Sequence, residues 1–306
     1  MVPLVALGLI PSFGALAGET PKVVASIAPL HSLAASVMAG VGEPELLLQA
    51  NASAHDFSLK PSQVRILQRA DLVLWVGPEF ESFLTKPVTS LGGKGRVLTM
   101  SDLPGMLKLK MRKGDFWESH AHGEGHNVAS SFETDGHLWL DIGNAKLFAA
   151  ALADRLSIID PLHAGLYQRN ASALALRLNL LDSHLKVQLA PLAARPYVVF
   201  HDAFQYFEKR YGLSPLGSIT HDERKPSAKA LAALRGKISD SGGACIFKEP
   251  QASPRLAEIL AEGLRVRIGS LDDLGAGLKP GPQMFDSLMT GLADSLKECL
   301  DSSAGE

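Results

Sequence analysis

Short apolar runs rich in β-branched residues recur along this chain. Longer stretches with an apolar residue every third or fourth position separate them. KVVASIA (22–28), ELLLQ (45–49), DLVLWVG (71–77) and RVLTM (96–100) read as buried strands, as do PYVVFHD (196–202), ACIFKE (244–249) and RVRIGSLD (265–272). The intervening segments carry helical spacing: HSLAASVMA, PSQVRILQRA, FESFLTKPVTSL, NAKLFAAALADRLSII, AFQYFEKRYG, SAKALAALRGKI, PRLAEILAEG and FDSLMTGLADSLKECL. Strands alternating with helices predict βαβ units, mostly parallel sheets and the α/β class.

One segment breaks that rhythm. From Leu166 to Ala190 the chain has neither Gly nor Pro, and Leu174, Leu178, Leu181, Leu185 and Leu189 keep a spacing of three or four. A helix of that length is about 37 Å long, more than one lobe needs. It lies between one α/β set and another. The expected architecture is two α/β lobes joined by a single rigid helix: 18–160, a linking helix at 161–190, and 191–306.

Two stretches lack the pattern of a packed element. MVPLVALGLIPSFGALA is apolar throughout and ends in Ala15-Leu16-Ala17, a small-x-small cleavage pattern, so residues 1–17 read as a secretory signal peptide without the usual basic start. A buried N-terminal strand or helix is the alternative. Past Ala17 no run reaches the ~18 apolar residues of a membrane helix, and no Cys near the cleavage point invites a lipid anchor. Residues 113–135 are rich in Gly, Ser, Glu and His and predict a mobile surface loop within the first lobe.

Composition then narrows the partners. The 306 residues are 46% apolar and 20% charged, with a formal net charge of −2, so neither nucleic acid nor an anionic membrane surface is suggested. In an exported chain the two cysteines, Cys245 and Cys299, most simply form one disulfide; two separate buried thiols are the alternative. Closing a loop of 54 positions would be worth roughly 4 kcal/mol in the chain-entropy model.

The histidines carry the candidate chemistry, because neutral imidazole is a common transition-metal ligand. His120, His122 and His126 lie in the polar loop, and His137 opens HLWLD where ordered chain resumes. His55 sits in a turn-rich loop after ELLLQ, His201 ends PYVVF, and Asp272 ends RVRIGSL. Just beyond His201, Asp202 and Gln205 have the spacing of a capping box for a helix that buries Phe204, Phe207 and Tyr211. Ligands of open α/β sheets bind beyond the carboxyl ends of the strands. Two lobes facing across a cleft could gather His55, His137, His201 and Asp272, a donor set suited to Zn²⁺. The intervals between them, 82, 64 and 71 residues, form no short zinc signature. By spacing alone, any one of these histidines could be structural.

Five blocks occur in a recognisable order: NASAHDFSLKPSQVRILQRADLVLWVGPEFESFL, GHLWLDIGNA, VVFHDAFQYFEKRYGL, CIFKEP and RVRIGSLDDLG. Together they resemble the periplasmic zinc-binding proteins (ZnuA type) of bacterial high-affinity zinc ABC importers, from about Lys22 to Leu300. The resemblance implies two lobes on a rigid helix, with metal held between them by His55, His137 and His201, and Asp272 as the carboxylate. It also implies a Cys245–Cys299 bridge and an auxiliary metal loop at His120, His122 and His126. Ala54 stands where some members carry a Glu, and the His-rich loop is short. A third imidazole favours Zn²⁺ over the harder Mn²⁺.

The implied function is periplasmic capture of Zn²⁺ as transported ligand by a monomer that is not an enzyme. Delivery would be to an inner-membrane ABC permease with its cytoplasmic ATPase. Three alternatives remain: a secreted zinc hydrolase or lyase with Asp56 or Asp202 as base, a manganese-binding relative, and an adhesin that zinc stabilises.

Overall fold

In the computed structural model, the described residues are 20–49, 57–91, 94–113, 116–117, 133–220, 226–242 and 244–301. The expected signal peptide, His55, and the loop histidines His120, His122 and His126 lie outside them.

The first sheet contains β1 (Val23–Ala25), β2 (Glu45–Leu46), β3 (Leu72–Trp75) and β4 (Val97–Thr99), all parallel, in the order β2-β1-β3-β4. The second contains β5 (Tyr197–Val199), β6 (Gly217–Ser218), β7 (Cys245–Lys248) and β8 (Arg267–Ser270), also parallel, in the matching order β6-β5-β7-β8. The central strands β1, β3 and β5 are buried along their whole length, as their unbroken Val and Leu runs require. β8 departs from the expected buried strand. It is an edge strand, and Ile268 is 43% exposed.

Helices cover the sheets: α1 (Ala28–Val37), α2 (Pro61–Arg69), α3 (Thr85–Ser90) and α4 (Ile142–Ile159) before the connection, and α6 (Gln205–Tyr211), α7 (Ala228–Asp240), α8 (Arg255–Ala261) and α9 (Met284–Leu300) after it. Between the two sets runs α5 (Ala164–Leu189), 26 residues long. Leu174, Leu178, Leu185 and Leu189 are buried on it, while Leu181 is partly buried against the same core. α5 packs on α4 and α1 of the first lobe and on α9 of the second, so one rod backs both lobes.

Direct bonds between the lobes reinforce that rod. The Ser32 hydroxyl donates to the Gly281 carbonyl (2.7 Å) and accepts from the Phe285 amide (2.9 Å). Arg210 of α6 donates to Asp182 on α5 and to Asp141, the N-cap of α4. Burial alone would raise the Asp182 carboxyl, but its bonds to Arg210 and to Lys186 (2.8 Å) outweigh that and hold it at about 2, below its usual value. Within the second lobe a Cys245–Cys299 disulfide joins β7 to α9, with the Cα atoms 6.0 Å apart.

Candidate metal centre

The second sheet supplies most of the site. The strand order reverses between β5 and β7, and that point is where an open α/β sheet forms its crevice. His201 lies just past the end of β5, Glu249 directly follows β7, and Asp273 lies just past β8. Three carboxyl ends of parallel strands therefore converge on one spot.

His137 comes from the first lobe by another route. It precedes a 3-10 turn, Leu138–Leu140, whose residues are fully buried. Gly136 makes the approach possible: a Cβ there would meet the Phe80 Cβ at 2.8 Å. Phe80 packs against both His137 and Trp139, with ring centroids 5.2 and 4.6 Å away. This aromatic wall keeps water from the flank of the imidazole. Trp139 also reaches across the lobes, donating its indole N–H to the Asp273 carbonyl (2.9 Å).

The two imidazoles meet edge to edge. Their Nε2 atoms are 3.3 Å apart, and both residues are buried. Each ring is fixed from behind by a buried carboxylate. Asp135 Oδ1 lies 2.8 Å from His137 Nδ1 and accepts the His137 amide at 2.9 Å. Glu249 Oε1 lies 2.6 Å from His201 Nδ1 and accepts the His201 amide at 3.3 Å. A carboxylate at Nδ1 assigns the proton of a neutral ring to that nitrogen, so the lone pair is on Nε2. Two such lone pairs face each other here, an arrangement that a cation held between them would satisfy. Two Zn–N bonds of 2.0–2.1 Å at the tetrahedral angle would separate their nitrogens by roughly 3.3 Å, and that is the separation observed. Carboxylates behind metal-binding imidazoles serve this same orienting role.

Asp273 completes a buried trio, its donor atom and those of His137 and His201 all lying within 4.8 Å of one another. Burial pushes its carboxyl up to about 6, with Glu249 and Asp272 adding repulsion and the two histidines opposing them. A cation would favour the ionised form that burial disfavours.

The expected donor Asp272 is placed differently. Its Oδ1 accepts from the Leu274 and Gly275 amides (3.1 and 2.7 Å), and its Oδ2 from the Ala276 amide (2.6 Å). Its carboxylate is spent on the turn after β8, and the next residue faces the histidines. The capping-box reading of Asp202 and Gln205 is also corrected. Phe204 is the N-cap of α6 and makes no side-chain cap bond. Asp202 instead pairs with Arg112 (3.0 Å), and Gln205 donates to Lys110 O (3.1 Å) and Asp135 Oδ2 (3.0 Å). Both residues thus face the other lobe. The expected stripe of Phe204, Phe207 and Tyr211 is buried.

Sequence reasoning left Asp135 and Glu249 without a role. Glu249 had a usable signal, an acid at the end of a parallel strand, the same reasoning that selected His201. Asp135 had none, because it lies in a stretch read as mobile loop. Part of that stretch is in fact fixed: Asp135 is buried, and Phe116 O accepts the Ser218 amide at 3.1 Å.

A family described as "ZnuA: Zinc-uptake complex component A periplasmic" matches residues 23–299. "High-affinity zinc uptake system protein ZnuA" of Brucella abortus is 40% identical over 93% of this chain and 93% of its own length. The Yersinia pestis protein of the same name is 35% identical over 91% of each. Among solved structures, "Crystal structure of ZnuA" superposes with a TM-score of 0.78 at 23% identity, covering 92% of this chain and all of that one. A periplasmic zinc-binding protein from Treponema pallidum superposes at 0.76, also at 23% identity, over 92% of this chain and 99% of its own. Those two share the fold. Matched by the family model across nearly the whole described chain, and by relatives above the 30% level over nine-tenths of it, the chain belongs to the ZnuA family of periplasmic zinc-uptake components.

Proposed function

We propose that this protein captures Zn²⁺ in the periplasm and delivers it to an inner-membrane ABC permease, acting as a solute-binding protein and not as an enzyme. One observation carries the reading: two buried Nε2 atoms from different lobes lie 3.3 Å apart, each ring held by its own carboxylate. The donors are His137, His201 and the carboxylate of Asp273, taking the place first expected of Asp272. His55 is the third imidazole by resemblance, and His120, His122 and His126 form an auxiliary weak site.

Position between the lobes suits transport, because a shift of one lobe against the other would dismantle the coordination. The relatives are named for zinc uptake, and the hydrolase alternative gains nothing from them. Of the bases that alternative needs, Asp202 is already held by Arg112. Asp56 lies outside the described residues. A metal closed in by protein donors is retained, whereas turnover needs an open position and a base. The test is titration of the metal-stripped mature protein with Zn²⁺ and Mn²⁺ against a competing chelator. One tight zinc site per chain, with weaker manganese binding, is expected. Absence of a tight zinc site would overturn the reading.

A further inference from the structure

A two-stranded ribbon links the two candidate histidine ligands. The Met111 amide donates to Glu133 O and the Asp135 amide to Leu109 O, both at 2.9 Å, and Lys110 pairs antiparallel with Thr134. The returning strand ends at Asp135, which holds His137 through ring and backbone. The outgoing strand carries Arg112 across to the second lobe. There its Nη1 donates to Asp202 Oδ1 (3.0 Å) and its Nη2 to Glu208 Oε2. Asp202 follows His201 directly in the chain. Glu208 lies on α6 and also accepts the Tyr197 hydroxyl (3.0 Å) from β5, the strand that leads to His201. The Trp117 ring covers the guanidinium face, 4.4 Å from centroid to Cζ. Tyr206 fastens the same ribbon by accepting the Leu109 amide (3.0 Å) and donating to Asp135 O (2.7 Å).

We propose that Arg112 is a positioning residue for the metal site, holding the ribbon that bears His137 against the segment that bears His201 and so setting how slowly bound zinc leaves. This inference rests on the zinc-capture reading above. A guanidinium suits the task because its planar fork donates from two nitrogens to two carboxylates at once while an aromatic ring stacks on its face. An ammonium keeps the charge but lacks the plane. The contact touches no metal, so its loss should loosen the bound state without altering how metal is first met.

The experiment compares the mature wild-type chain with R112K and R112Q. Zinc dissociation is followed by rapid mixing with excess chelator, association is followed separately, and melting of the metal-free chains serves as control. R112K should melt close to wild type, because Asp202 and Glu208 keep a cation beside them, yet release zinc about tenfold faster with an unchanged association rate. If Arg112 only neutralises buried acids, R112K releases zinc at the wild-type rate and the proposal is overturned. The double variant R112Q/D202N should release zinc no faster than the faster single variant, since both break one link. Fully additive acceleration would refute that route. If the wild-type chain binds no zinc, the capture reading fails on its own. Arg112 is then judged by imidazole nitrogen NMR of the metal-free chains. Shifted His137 and His201 signals in R112K support positioning, and unshifted signals overturn it.

Discussion

At the point where strand order reverses in the first sheet, between β1 and β3, the buried acid is Glu81. At the corresponding point of the second sheet, between β5 and β7, it is Glu249. Both are almost wholly removed from solvent. Their partners differ. Glu81 Oε2 accepts the Val76 and Gly77 amides (2.7 and 3.3 Å), so it closes the turn leaving its own strand. Glu249 accepts from the ring and amide of His201, on a different strand, and so orients a functional group. One topology thus serves two purposes, and the side chains at the strand ends decide which. In the proposed site His137 comes from outside the first sheet, through the short turn at Leu138–Leu140 and the aromatic wall of Phe80 and Trp139.

That asymmetry can be broken most strongly at the histidines. H137A and H201A should each lower zinc affinity by more than the roughly 10–100-fold typical of losing an orienting partner, because a bond to the metal itself is lost. Circular dichroism should stay native, since each lobe has its own sheet and helices. Wild-type-like binding by a folded H201A protein would remove the second sheet from the site. Next in size are the carboxylates behind the rings. E249Q and D135N should weaken zinc about 10–100-fold by freeing the tautomer and the ring orientation. Isothermal titration with chelator competition reads both sets.

The two adjacent acids after β8 offer a smaller and more discriminating test. D273A should weaken zinc severalfold, with water able to fill the vacated position. D272A should instead lower stability by about 1–2 kcal/mol, the scale of losing a side-chain cap on backbone amides, and leave affinity nearly unchanged. Urea unfolding and zinc titration of both variants separate the outcomes. Loss of zinc in D272A with none in D273A would reverse the assignment.

The difficulty at this pair shows how far sequence reaches. The strand-end rule pointed to the turn after RVRIGSL, which carries both acids. Which of them faces the cleft depends on the turn's backbone, and no periodicity reports that. The rod α5 was legible because 25 residues without Gly or Pro leave little alternative to a helix. β6 was not, because two residues, Gly217 and Ser218, are too few to carry an alternation. Asp202 and Gln205 had the spacing of a local cap, yet tertiary partners on the facing ribbon claimed both side chains.

The smallest expected effect returns to Glu81, where a single substitution compares the two sheets directly. Burial raises its carboxyl from 4.5 to about 7, exceeding the opposite pull of the Ser26 hydroxyl and the Val76 and Gly77 amides. Between those values the folded protein retains a proton that the unfolded chain has released. Stability therefore falls as pH rises from about 4.5 to about 7 and levels off above that, in the direction linkage requires when the native state binds more protons. In E81Q the amide oxygen can still accept both backbone N–H groups, but nothing titrates. Its unfolding midpoint in urea should decline less between pH 5 and pH 8 than that of wild type. Other buried acids, Glu208 among them, are common to both proteins and cancel in the difference. Zinc affinity should be unchanged in E81Q, while the same chemical change at Glu249 lowers it. Equal losses of zinc from E81Q and E249Q would mean that both strand reversals serve the metal, and the contrast between the two sheets would not stand.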